Sequence, residues 1–132
     1  MKLPLNCSVD YLSDFLTTEE AAKLYDTLIN EYHLDQERLT MNIGDQIIET
    51  DSFRILFATK DIIGQNSHHD SVQGKVFEWT GLMLELRERI EEFIGRKYEL
   101  AMCLYYPDGD YFAPYHFDQQ TSGYKTIIPS IS

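Results

Sequence analysis

Leu104-Tyr-Tyr-Pro-Asp-Gly-Asp-Tyr-Phe-Ala-Pro-Tyr-His-Phe-Asp118 is the stretch on which the reading of this chain turns. Pro107-Asp-Gly109 is a turn signal between two runs rich in Tyr and Phe, which predicts a hairpin with His116 on its second strand. Alternation along an extended strand turns His116 and Asp118 to one face and Phe117 to the other. Upstream, from Tyr98, apolar residues recur with period two through Met102, Leu104 and Tyr106, as a first strand requires.

Further upstream the pattern changes period. Thr17-Thr-Glu-Glu20 is a capping-box signature. Behind it Ala21, Leu24, Tyr25, Leu28, Ile29 and Tyr32 fall at helical spacing, predicting an amphipathic helix over 18–33. Leu39 to Ile48 reads as strand with a turn at Gly44-Asp45, and Phe53, Ile55 and Phe57 continue as a strand of mixed exposure. Residues 64–74 are polar and Gly-bounded and read as a loop; they contain a second His-x-Asp, His68-His69-Asp70, without strand context. Thr80 caps a predicted second helix burying Leu82, Met83, Leu86, Ile90, Phe93 and Ile94, with Glu85/Arg89 and Arg87/Glu91 as i,i+4 pairs on its solvent side. Gly95 ends it. Lys125-Thr-Ile-Ile-Pro-Ser-Ile-Ser132 reads as the opening of another strand.

With helices preceding most of the strands, the fold class is α+β, helices packed on one side of a sheet. The length of 132 residues suits a single domain over 1–132, and 43% apolar with 13% aromatic residues suffice for its core. Acidic residues outnumber basic ones 22 to 11, and the net charge of −11 opposes non-specific attraction to phosphate backbones. Cys7 and Cys103 form no close pair, so reduced thiols are expected. Neither a secretory leader nor an apolar span of ~20 residues is visible, so the expectation is a cytoplasmic monomer with no membrane partner.

An imidazole and a carboxylate side by side on a strand are two of the three donors in the 2-His-1-carboxylate set that holds Fe(II) with open positions. With that pair in place, residues 98–132 resemble the AlkB-like branch of Fe(II)/2-oxoglutarate-dependent dioxygenases. The family's Asn-x-Tyr strand, Pro/Asp-Gly turn, His-x-Asp and Ser-x-Ser strand correspond to Leu104-Tyr-Tyr106, Pro107-Asp-Gly109, His116-Phe-Asp118 and Pro129-Ser-Ile-Ser132. The ten-residue step from Tyr106 to His116 also matches.

The resemblance implies a double-stranded β-helix, or jelly roll, whose first strands carry the N-terminal helices. It implies His116 and Asp118 as iron ligands and Tyr106 as a residue holding 2-oxoglutarate. It also implies oxidative chemistry: iron, 2-oxoglutarate and dioxygen together hydroxylate a C–H bond, and a hydroxylated N-methyl group leaves a base as formaldehyde. Gln120 stands two residues after Asp118, where nucleic-acid demethylases of the family often place an acidic residue facing the base; with Arg54 it is the candidate substrate contact. Arg54 would touch a substrate phosphate or pair with an acidic neighbour. Leu104 replaces the family asparagine that contacts the 2-oxo acid.

The family's distal His and its cofactor-binding Arg should lie downstream. The chain therefore reads as the N-terminal portion of a dioxygenase domain, and in isolation it is expected to turn over 2-oxoglutarate poorly. The expected substrate is an alkylated nucleobase. A protein side chain or small molecule is the alternative, and a non-catalytic scaffold is a third reading. Tyr105, Tyr106, Tyr111 and Tyr115 either line a pocket or pack between strands.

Overall fold

The computed structural model describes residues 9–63, 72–73, 75–112 and 127–132. The chain divides into two compact units, Met1–His33 and Leu34–Ser132.

The first unit is built on helix α1, Thr18–Asn30. Its start is the capping box read from sequence: Glu20 N–H donates to Thr17 Oγ1 at 3.1 Å, and Thr17 N–H donates to the Glu20 carboxylate at 2.8 Å. Two N–H groups that a helix start leaves without partners are thereby satisfied. The helix stops three residues short of the predicted end, and His33 beyond it has a φ of 54°, which a right-handed helix cannot continue. Replacing Thr17 with Ala should cost about 1 kcal/mol in a urea titration, and Thr17→Ser should restore most of it.

The second unit is organised around one long strand. β1, Arg38–Ile43, turns through Gly44-Asp45 into β2, Gln46–Ala58. Ile43 pairs with Gln46, so the loop has two residues. Gly44 at φ 61° supplies the left-handed first position that such a loop needs. A one-turn helix α2, Lys60–Ile63, and the short strands β3, Val72–Gln73, and β4, Lys75–Glu78, follow. Then come α3, Gly81–Ile94, and β5, Leu100–Tyr105.

Register fixes the sheet. Phe53 has Arg38 of β1 on one side and Tyr105 of β5 on the other, while Ile55 to Ala58 lie between β4 and β5. A strand has two edges, so β1 and β4 follow one another along one edge of β2 and β5 occupies the other. Lys75 Nζ meets Glu37 Oε1 at 3.0 Å where β1 gives way to β4. β3 pairs with β1. Among the described strands only the β2–β4 pair is parallel. The result is an open, mainly antiparallel five-stranded sheet in a mixed α+β arrangement.

Ile55-Leu-Phe-Ala58 is buried on both faces, as its unbroken apolar run requires. One face carries Phe53, Ile55 and Phe57. Phe57 lies 5.7 Å from the Phe77 ring and 5.8 Å from Trp79, and Arg87 of α3 stacks over Trp79 at 5.3 Å, which puts α3 on this face. Trp79 Nε1–H and Thr59 N–H both donate to the Glu99 carbonyl, at 3.2 and 3.0 Å, tying the ends of β2 and β4 to the start of β5.

Several expectations are corrected. Strands and helices interleave instead of following in blocks, because β4 and β5 enter the sheet around α3. The 64–74 loop contains β3, and α2 and β4 were not foreseen; each is too short to establish a period. On α3 Met83 is buried as predicted and Leu82, Leu86, Ile90 and Ile94 are half-covered, but Phe93 is exposed, and Glu91, placed on the solvent side, is buried beside half-covered Arg87. An ion pair can be covered there because its charges neutralise each other. Gly95 does end α3, at φ 75°. Residues 127–132, read as a strand opening, form no strand; Tyr98 Oη–H donates to the Ile127 carbonyl at 3.1 Å.

Candidate functional site

β5 alternates cleanly between half-covered and exposed positions. Ala101, Cys103 and Tyr105 share the covered face with Ile55 and Phe53. Tyr105 meets Phe53 edge-on at 5.8 Å, and Tyr111 lies tilted to the same ring at 6.5 Å. Those two tyrosines therefore pack against Phe53. Burial pushes the Cys103 thiol up to about 11, so at neutral pH it is not a nucleophile.

The other face is open along β5. Leu100, Met102 and Leu104 are exposed, and Tyr106, next in the same alternation, is 46% exposed. Contiguous exposed apolar side chains on a sheet mark a surface made to receive something. Across the strand pair Arg54 is directly opposite Leu104, and Leu56 is opposite Met102. Directly opposed residues share a face, so Arg54 lies in the stripe. Tyr106 follows the last residue of β5 and is exposed.

Arg54 is the unusual member. Among the described residues its enclosed Nε has no hydrogen-bond partner, and its Nη1 donates to the Met102 sulfur, at 3.9 Å. A thioether is a weak acceptor. Burial lowers the guanidinium's pKa from its ordinary value. Among the described residues no carboxylate pairs with it. An enclosed N–H without an acceptor costs about 1–3 kcal/mol, so this side chain stands to gain from an oxyanion.

The register thus places Arg54 beside exposed Met102 and Leu104, and Tyr106 follows the end of β5. His116, Asp118 and Gln120, together with Tyr115, His68, His69 and Cys7, lie outside the described residues. Among the described residues no three His, Cys, Asp or Glu side chains come together to hold a metal ion. For a 2-oxo acid the Arg54 guanidinium, whose Nε has no acceptor among the described residues, is a fitting donor. What the sequence did not disclose is which side of β5 is open, since Leu100 to Tyr105 is apolar at nearly every position. No helix among the described residues is long and apolar enough to cross a membrane. No family model matches the chain, and neither a curated protein nor a solved structure matches it.

Proposed function

We propose that this chain is an AlkB-like Fe(II)/2-oxoglutarate-dependent dioxygenase domain, its sheet forming part of a double-stranded β-helix. The observation that carries the reading is the His116-Phe-Asp118 triplet set ten residues after Tyr106, a residue at the end of an open apolar stripe. In this reading His116 and Asp118 donate an imidazole nitrogen and a carboxylate oxygen to iron. With the metal bound, dioxygen would supply the oxidising power, one of its oxygen atoms going to the 2-oxo acid as that decarboxylates to succinate and the other to the substrate C–H bond. The chain's own residues do the rest. Tyr106 donates its hydroxyl hydrogen to a carboxylate of the 2-oxo acid, and Leu104 and Met102 keep water from its carbon chain. Gln120 offers an amide to a base edge, accepting and donating where a carboxylate could only accept.

The substrate of this reading is a single alkylated nucleobase. The net charge of −11 favours the second substrate class, a protein side chain or small molecule, because a long nucleic-acid contact needs cationic surface. Methylated oligonucleotide and free methylated nucleoside, each scored for formaldehyde release, separate the two.

The test of the chemistry is anaerobic titration with Fe(II) and 2-oxoglutarate, following the visible charge-transfer band of the chelate. The expected result is a band in the parent chain that is lost in His116→Ala and Asp118→Ala. No band in the parent, or an undiminished band in both variants, would overturn the assignment.

A further inference from the structure

We infer that Arg54 is a carboxylate receptor, holding a small dicarboxylate whose carbon chain lies on Met102 and Leu104. The choice of a 2-oxo dicarboxylate rests on the dioxygenase reading; the receptor itself rests on the sheet face. Three observations support it. Arg54 lies on the stripe formed by exposed Met102 and Leu104, with exposed Tyr106 following. Among the described residues its guanidinium leaves Nε without an acceptor and rests Nη1 on a sulfur at 3.9 Å. No carboxylate among the described residues takes up its charge, although acidic residues outnumber basic ones two to one over the chain. With no carboxylate partner among the described residues, this guanidinium is available to an anion brought from outside.

The anion's class follows from the surroundings. A guanidinium presents planar, paired N–H donors that match a carboxylate at two points. The flanks are a thioether and an isobutyl group, which suit methylenes and offer a phosphodiester strand no further cation. The whole-chain charge of −11 also repels a polyanion more strongly than a small dianion. Nε is enclosed in the present rotamer, so binding exchanges the Met102 sulfur contact for the carboxylate and turns the guanidinium towards the open face. Leu104, directly opposite, has no polar atom to offer, which leaves Arg54 as the cationic donor at that level of the sheet.

Isothermal titration of the full chain with glutarate, with dimethyl phosphate, and with 2-oxoglutarate plus Mn(II) tests the inference, with spectra and melting curves confirming the fold of each variant. Glutarate and 2-oxoglutarate should bind the parent more tightly than dimethyl phosphate does. Arg54→Met should weaken both dicarboxylates at least tenfold, with Arg54→Lys in between because it keeps charge and loses the fork. Should Arg54→Met not fold, the Arg54→Lys loss decides. Undiminished dicarboxylate binding in the variants, or tighter binding of dimethyl phosphate than of glutarate, overturns the receptor and leaves the dioxygenase reading intact. Arg54-dependent glutarate binding without any gain from the 2-oxo group and Mn(II) overturns the dioxygenase reading and leaves the receptor. No binding of either dicarboxylate to the parent overturns both.

Discussion

Phe57→Ala should lower the stability of the folded chain by about 4 kcal/mol, a thousandfold shift in the folding equilibrium. Phe57 is 0% exposed near the C-terminal end of β2, with β4 and β5 paired on either side of it. Its ring packs against Phe77 and Trp79 at 5.7 and 5.8 Å. Truncation removes the ring's own transfer free energy and leaves a void that paired backbone cannot close. The two aromatic contacts add about 0.5–1.5 kcal/mol each beyond area. Ile47, on the same strand but 76% exposed, is the matched control, and Ile47→Ala should fall within about 0.5 kcal/mol of the parent. Urea midpoints with an unchanged m-value check both. A Phe57→Ala loss below about 1 kcal/mol would show that β2 is not the centre of the core.

That contrast also shows what could be read before the structure. Phe53, Ile55 and Phe57 announced a strand, and the Thr17 box and Gly95 announced helix ends, because each is a local rule carried by residues adjacent in the chain. The fate of Ile47 and Ile48 was not announced. They continue the same strand with the same kind of side chain, yet they are exposed because β2 outruns β4 and β5, whose partners begin at Ile55 and Phe53. Strand length relative to neighbours is a non-local quantity. The candidate site divides the same way. Arg54 could be singled out by type, but its place beside the exposed residues of β5 depends on a register between residues fifty positions apart, Arg54 against Leu104. Glu91 is the plainest failure, since i,i+4 pairing with Arg87 is the usual mark of a solvated face.

Glu91 therefore gives the sharper prediction. Its side chain is 5% exposed in the last turn of α3. Its carboxylate accepts from Arg87 Nε at 2.9 Å, from Lys97 Nζ at 2.6 Å and from the Tyr98 backbone N–H at 2.9 Å. Burial alone would raise its pKa; the hydrogen bonds from Lys97, Tyr98 and Arg87 and the Arg87 charge outweigh it, and the group sits at about 2 against an ordinary 4.5. A depressed folded-state pKa stabilises the fold fully above the unfolded value and loses that contribution as pH falls towards the folded one. Glu91→Gln keeps the shape, removes the charge and leaves Arg87, only 18% exposed, facing an amide. The expected cost at pH 7 is about 3 kcal/mol, the lower end for a broken covered pair because Lys97 is largely exposed. The difference between parent and Glu91→Gln should be constant above roughly pH 5 and shrink steadily between about 4.5 and 2. Glu91→Gln with Arg87→Met should recover part of the loss, since no unpaired guanidinium then remains under cover. A difference that stays level down to pH 2, or a variant as stable as the parent, would mean that the end of α3 is held to the Lys97–Tyr98 segment by backbone alone.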